Sequence, residues 1–317
     1  MKSIVIYDSY TGNTKRIAYA IHKGMSRLRE QCDIVRLRDV NLRDLANYDL
    51  IGLGSPVFHF RELANVTHFI EHNMESLDGK HAFVFCTYAG MIGHYLSRVV
   101  SALTQRGLIV IGWNSWYGSQ YYPFLPKPYI TDGHPDEIDI KEAEDFGTEM
   151  VIRSRRISLG EKSLVPTFPR GKDYDEIYGP TVGPILESAT NRQLYKSQSF
   201  GFKVNMEKCN YPKCSHCIDI CPMGAIDFSV SPPLFMINCD WCWHCEQTCP
   251  RGAIEVDWEP YDKLVEPQKT PMANEMMVFF DTAEAKGRFR RLVPLETINW
   301  DIPFFKVKKP PRIKLDR

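Results

Sequence analysis

Eight of the ten cysteines in this 317-residue chain crowd between positions 209 and 249, leaving only Cys32 and Cys86 elsewhere. A stretch that dense in cysteine must close around shared bonds or shared metal, because it has few apolar side chains left to build a core. The crowding is also ordered. The run "KCNYPKCSHCIDICPMGAIDF" is echoed downstream by "NCDWCWHCEQTCPRGAIEV", and each half sets Cys-Pro-x-Gly-Ala-Ile after its cysteines. Such self-similarity marks an internal duplication. At the other end, Ile4, Val5 and Ile6 begin a strand pattern straight after Met-Lys-Ser, with no long apolar region or small-residue cleavage site. A cytoplasmic protein is expected, and in a reducing compartment the cysteines favour metal ligation over disulfides.

The second half of the duplication reads Cys239-x2-Cys242-x2-Cys245-x3-Cys249-Pro250. This spacing holds a [4Fe–4S] cluster: three thiolates on one tight loop cap three irons, and the fourth, set off by proline, reaches the other cluster. The first half reads Cys209-x4-Cys214-x2-Cys217-x3-Cys221-Pro222, with only its first interval stretched. By the crossed rule, Cys209, Cys214, Cys217 and Cys249 hold one cluster, and Cys239, Cys242, Cys245 and Cys221 hold the other. Two structural zincs are the competing reading, since Cys-x2-Cys pairs also suit tetrahedral zinc. Zinc, however, gives no reason to repeat the third spacing and the following proline. Haem attachment fails, because no Cys-x-x-Cys is followed by histidine. Trp241, Trp243, His216 and His244 stand between ligands, where they either pack over a cluster and exclude water or form a docking patch.

The first 156 residues alternate apolar runs with amphipathic segments, as a parallel α/β sheet requires. Strands are expected at Ser3 to Tyr7, Ile34 to Leu37, Leu50 to Gly54, Ala82 to Thr87 and Leu108 to Trp113. Between the first two, Ile17, Ile21, Met25 and Leu28 recur at helical spacing. A last helix runs from Glu137 to Arg156, started by Asp136, with acids early and bases late as the helix dipole favours. Residues 157–199 carry Pro166, Pro169, Gly171, Gly179, Pro180, Gly183 and Pro184 without a sustained period and read as an interdomain linker, with a short helix within Ile185 to Leu194. Residues 200–259 hold the duplication and 260–317 form a C-terminal extension. The 39 basic residues balance the 39 acidic ones, so no whole-chain field favours nucleic acid or an anionic membrane. Apolar runs fall far short of the ~20 residues that cross a bilayer, so no transmembrane segment is expected. The final seventeen residues carry six bases against two acids, from Lys306 to Arg317, and are either a solvated tail or a docking element for a protein surface.

Immediately after the first strand stands Ser9-Tyr10-Thr11-Gly12-Asn13-Thr14, and then the helix begins. Backbone N–H groups at a helix start, opened by glycine and flanked by hydroxyls, make a nest for a phosphate dianion. Read alone, the same residues could be a turn with a helix cap. Neither G-x-x-x-x-G-K-[ST] nor G-x-G-x-x-G occurs, which removes the main warrant for a nucleoside triphosphate or a dinucleotide. Two further segments, Ser55-Pro56-Val57-Phe58-His59 and Thr87-Tyr88-Ala89-Gly90, lie at the ends of strands three and four. An open α/β sheet binds its ligand there.

On these residues the first 156 positions resemble flavodoxin, whose phosphate loop has the form Ser/Thr-x-Thr-Gly-x-Thr. The resemblance implies FMN, with Ser9, Thr11, Gly12, Asn13 and Thr14 on the phosphate. Ser55, Pro56, Val57 and Phe58 would flank the flavin ring on one side, and Thr87, Tyr88, Ala89 and Gly90 on the other. No tryptophan stands in the third-strand loop, so ring stacking falls to Phe58, His59 or Tyr88. Residues 200–259 resemble a bacterial two-cluster ferredoxin, with two residues added within Asn210 to Lys213. Together the order resembles fused flavodoxin–ferredoxin electron-transfer proteins of anaerobes. The resemblance implies an α/β doubly wound five-stranded sheet plus a small α+β cluster domain. It also implies a relay between two [4Fe–4S] clusters, FMN and redox partner proteins acting as donor and acceptor. An alternative is a flavin-dependent reductase of a quinone or disulfide, with the aromatic stretch Trp116 to Phe124 as a pocket wall or lid; no separate catalytic residue is visible.

Overall fold

The computed structural model describes residues 1–28, 31–123, 125–174, 201–236, 238–256 and 269–299, with backbone alone for 269–276. The helix expected within Ile185 to Leu194 and the basic run Lys306 to Arg317 lie outside the described residues. By contacts the chain divides into two units, Met1–Gln120 with Thr131–Glu187 and Tyr121–Ile130 with Ser188–Arg317. The stretch 121–130 therefore groups with the C-terminal unit, although its place in the sequence falls inside the first 156 residues.

In the N-terminal unit, β1 (Lys2–Tyr7), β2 (Gln31–Arg36), β3 (Leu50–Pro56), β4 (His81–Tyr88) and β5 (Ile109–Tyr117) form one parallel sheet in the order β2-β1-β3-β4-β5. This is the flavodoxin-like doubly wound order. Its inner strands are buried on both faces, which is why they read as continuous apolar runs. In β3 the small residues Gly52 and Gly54 leave room for the rings of Phe83 and Phe85 from β4, which lie where a Cβ would otherwise sit. β5 runs four residues beyond the expected Trp113. Trp116 and Tyr117 are thus strand residues, and Trp116 is a core residue packed edge-on against Phe146 at 5.7 Å.

Helix α1 (Asn13–Ser26) buries Ile17, Ile21 and Met25. It packs on α4 (Glu137–Ser158), whose Asp136 closes a capping box with Asp139. The two helices meet through reciprocal glycines. A Cβ on Gly24 would lie 1.8 Å from the carbonyl oxygen of Glu144, and one on Gly147 would lie 2.2 Å from that of Ile21. Glycine costs a helix interior about 1 kcal/mol relative to alanine, so two at one crossing mark a contact only hydrogen can fit. Beside them Glu144, 7 % exposed at its side chain, receives Lys23 Nζ at 2.7 Å and an Arg27 guanidinium hydrogen bond. The Lys23 bond, joined by the Arg27 charge, holds its carboxyl below the usual carboxylate range despite burial.

Helices α2 (Ala64–His68) and α3 (Tyr95–Gln105) complete the unit. The chain after α4 lies against it: Phe168 packs edge-on on Trp113 at 4.7 Å, and the Tyr174 hydroxyl donates to the Gly93 carbonyl at 2.6 Å.

The C-terminal unit is built on two short antiparallel pairs. β6 (Phe202–Val204) pairs with β9 (Ile254–Val256), and β7 (Ile226–Asp227) with β8 (Leu234–Phe235). Between them lie α5 (His216–Ile220) and α6 (His244–Thr248), one from each half of the duplication. The C-terminal extension contains α7 (Lys269–Ala285), whose Phe280 packs on Phe289 at 4.8 Å. Among the described residues no helix is long and apolar enough to cross a membrane.

Gly147→Ala is expected to destabilise the N-terminal unit by about 1–3 kcal/mol through overpacking against Ile21, read as a lower urea midpoint with unchanged slope. Folding lowers the Glu144 pKa, so its contribution is complete above the unfolded value of about 4.3 and is lost as pH falls through the folded one. The thermal midpoint of the N-terminal unit should therefore fall between about pH 5 and pH 3, less steeply in Glu144→Gln.

Candidate functional site

The loop leaving β1 is organised from below by Asp8. Its buried carboxylate receives Arg36 Nε at 3.0 Å, the Ser9 N–H at 2.8 Å and the side-chain amide of Asn65. Ser9 Oγ in turn accepts the Gly12 N–H at 3.1 Å, bending the loop back on itself. Gly12 adopts φ 92°, a left-handed conformation that glycine alone takes without strain, and it starts α1 with no side-chain cap. Among the described residues the N–H groups of Asn13, Thr14 and Lys15 have no acceptor, and the space beside Gly12 is open for 4 Å. Uncapped N–H groups facing open space at a positive helix end are the donor set a phosphate dianion needs.

The five expected phosphate-loop residues do not act alike. Thr11 keeps its hydroxyl free of any described partner. Thr14 is buried, and its Oγ1 lies 2.7 Å from Oγ1 of Thr87, so that hydroxyl ties the first loop to the loop after β4. Asn13 Nδ2 donates to the Ser119 carbonyl at 3.2 Å.

The loops after β3 and β4 are joined to each other by the Val57 N–H on the Thr87 carbonyl at 2.8 Å. Ser55 is fully buried on the strand, its N–H donating to the Tyr95 hydroxyl at 2.9 Å. Pro56 ends the strand. Beyond it Phe58 and Arg61 exchange backbone hydrogen bonds across a tight turn in which His59 and Phe60 take φ 50° and 60°. Phe58 is buried, 5.6 Å from the ring of Tyr10, whereas His59 and Phe60 stay half-buried. Tyr88 stacks on Tyr117 at 4.4 Å, Ala89 follows half-buried, and the space beside Gly90 is open. Phe60 was not legible in sequence because a left-handed turn of two bulky residues carries no Gly, Asn or Asp signal.

In the C-terminal unit, one apolar cavity is lined by Cys221, Cys239, Cys242 and Cys245, with Phe202, Pro222, Ile226, Phe235 and Trp243 around them. The cysteine from the first half thus joins three from the second. On the other side, burial and the neighbouring Cys249, Cys209 and Cys214 push the Cys217 thiol up to about 11. The repeated Cys-Pro-x-Gly-Ala explains itself here. Gly224 and Gly252 take φ 55° and 56°, and each turn aims an alanine N–H at the cysteine sulfur: Ala225 on Cys221 and Ala253 on Cys249, both at 3.2 Å.

Among the described residues no three cysteine sulfurs lie within 4.8 Å of one another. Four thiolates on one tetrahedral zinc stand roughly 3.8 Å apart. A cluster spaces its thiolates more widely because each caps a different iron, and four cysteines around one apolar cavity are a donor set that such a cluster can take.

Trp241 and Trp243 hold φ 53° and 61°, at a cost of about 1–3 kcal/mol each. Trp243 is buried edge-on against Phe202 at 5.1 Å, so it packs over the site. His216 Nε2 lies 3.1 Å from Thr248 Oγ1, and His244 Nδ1 lies 3.0 Å from the hydroxyl of Tyr121. A further group, His134, Asp136 and Asp139, brings its polar atoms within 4.8 Å, and it is engaged in capping α4.

A flavodoxin-domain family model matches residues 4–92. The flavodoxin of Megasphaera elsdenii is 30% identical over 110 residues, which are 34% of this chain and 80% of that protein. The chain belongs to the flavodoxin family. The flavodoxin-like domain-containing protein BilS of Clostridioides difficile is 26% identical over 178 residues, 49% of this chain and 98% of that one. A solved archaeal flavodoxin is 22% identical with a TM-score of 0.41, covering 49% of this chain and 99% of its own. At family level the chain is a flavodoxin-like electron-transfer flavoprotein with FMN as cofactor. These relatives each cover half of this chain or less, and the cysteine-rich part is read from its own residues.

Thr14→Val keeps the side-chain shape but leaves the buried Thr87 hydroxyl without its partner. It is expected to cost the N-terminal unit about 1–3 kcal/mol by urea unfolding while leaving bound iron unchanged.

Proposed function

We propose that the chain is a two-cofactor electron carrier. FMN sits at the loops after β1, β3 and β4, and two [4Fe–4S] clusters sit in the C-terminal unit, one on Cys209, Cys214, Cys217 and Cys249 and one on Cys239, Cys242, Cys245 and Cys221. Low-potential electrons pass between these centres and partner redox proteins that act as donor and acceptor in anaerobic metabolism. The observation that carries this reading is the grouping of Cys221 with Cys239, Cys242 and Cys245 around one apolar cavity, the crossed set that the spacing requires.

When bound, FMN exchanges one or two electrons and each cluster exchanges one, so a chain holding both can match carriers of different stoichiometry. The chain's own residues supply the surroundings. The N–H groups at the start of α1 neutralise the phosphate, the Ala225 and Ala253 N–H groups stabilise thiolate charge, and Phe202 and Trp243 keep water from the second site. Protein partners are favoured over a small acceptor because the rings proposed to wall a substrate pocket are engaged: Trp116 and Tyr117 are buried in β5, and Tyr121 is bonded to His244. The basic run Lys306 to Arg317 is the candidate docking element for such a partner.

Protein purified without air is expected to contain about eight irons, matching sulfide and one FMN per chain. Gly12→Asp places a carboxylate in the left-handed cradle and should lose flavin while keeping iron. Cys242→Ala should lose about half the iron and keep flavin. Flavin and iron that disappear together in both variants, or iron at about two per chain, would refute the assignment.

A further inference from the structure

The duplication builds one turn twice within the C-terminal unit. Cys221-Pro222-Met223-Gly224-Ala225 and Cys249-Pro250-Arg251-Gly252-Ala253 share their left-handed glycine and their alanine N–H on the cysteine sulfur at 3.2 Å. Each turn is also tied to the residue just ahead of the first cysteine of the opposite half. Asn238, ahead of Cys239, donates its side-chain amide to the Met223 carbonyl at 2.9 Å. Arg251 donates its Nε to the carbonyl of Lys208, ahead of Cys209, at 2.6 Å. The same two positions are joined in both halves, but the donor has changed sides. A neutral amide serves the turn after Cys221, and a guanidinium serves the turn after Cys249.

With the crossed ligand sets, each tie falls at one site. Lys208 and Arg251 flank Cys209 and Cys249 of the first, and Asn238 and Met223 flank Cys239 and Cys221 of the second. Charge next to the other ligands runs the same way. Lys208 and Lys213 adjoin cysteines of the first site, with Glu255 pairing Lys208 at 2.6 Å and Asp219 on α5 bonded to Ser215. At the second site Asp240 and Glu246 are buried next to Cys239 and Cys245. Burial differs as well: Cys242 and Cys245 are buried at the apolar cavity, whereas Cys209, Cys214, Cys217 and Cys249 are each half-buried.

We propose that the two cysteine sites are electrically unequal, and that Arg251 makes the first, on Cys209, Cys214, Cys217 and Cys249, the place where an added electron rests. The inference rests on the cofactor reading above. Adding an electron at a thiolate-ligated cluster adds one negative charge, which nearby cations and water favour and which buried carboxylates and an apolar shell oppose. Charge and burial therefore act in one sense here. An electron that a one-electron donor delivers to the second site passes to the first: the second is oxidised by one electron, the first is reduced by one, and no bond or proton moves. The unit thus has a polarity, with the buried site the stronger reductant and the cation-flanked site the one that holds charge until a partner draws it.

The test is proton NMR of the full chain purified without air and poised with dithionite so that the cluster pair holds one electron. The shifted β-protons of assigned ligand cysteines then report how that electron divides between the sites. In the natural chain the first site is expected to hold it at least about tenfold more often than the second, a gap of about 59 mV for one electron. Arg251→Met copies the turn of the first half and should cut the ratio about threefold, since the guanidinium is exposed and its field partly screened. Arg251→Lys keeps the charge and should stay within about 1.5-fold of the natural ratio. Met223→Arg carries a charge to the second site's turn without touching the first, and it should cut the ratio by about the same factor as Arg251→Met. Equal sharing in the natural chain, or a ratio left unmoved by Arg251→Met or by Met223→Arg in protein that retains both clusters, overturns the proposal. Protein that takes up no cluster at either site refutes the cofactor reading instead, and the inequality falls with it.

Discussion

The reciprocal glycine contact between α1 and α4 is the constraint on which the N-terminal site rests. Gly24 and Gly147 let two helix backbones approach where any side chain would collide, and Glu144 then clamps Lys23 and Arg27 beside them. Seated this way, α1 brings its first turn to the end of β1 with no side-chain cap and with open space beside Gly12. Everything at the loop follows from that placement. Asp8 and Ser9 need only shape the approach to Gly12, and Thr14 is free to turn inward and bind the neighbouring loop.

The C-terminal unit is constrained differently. Cys221 of the first half lines one cavity with Cys239, Cys242 and Cys245 of the second, so that cavity needs both halves of the duplication. The pairs β6–β9 and β7–β8 join only three and two residues of each strand, too little area to hold a fold by themselves. Within the unit Trp241 and Trp243 hold left-handed backbone, which bulky residues keep only where their surroundings fix it.

Much of this was legible from residues alone, for physical reasons that differ by element. The five strands declared themselves because buried parallel strands are apolar on both faces, and the cysteine grouping because ligand spacing is a local geometric rule. The end of β5 was hidden by Asn114 and Ser115, which interrupt the apolar run before Trp116 and Tyr117 resume it. Helix α7 was hidden because its apolar residues, such as Met276, Met277, Val278, Phe279 and Phe280, follow one another without a helical period. Ring stacking was left between Phe58, His59 and Tyr88, because the sequence does not show that Phe58 is buried beside Tyr10 while the turn after it leaves His59 and Phe60 half-buried. Tyr121 gave no signal at all, since its partner lies more than a hundred positions away and only tertiary structure brings the two together.

The donors to Cys221 and Cys249 are peptide N–H groups of Ala225 and Ala253, presented by the turns at Gly224 and Gly252. Every residue except proline brings a peptide N–H, so mutation at either alanine alters volume but leaves the donor standing. Drift at these positions therefore changes the packing around the two sulfurs, while the donors themselves are inherited with the backbone.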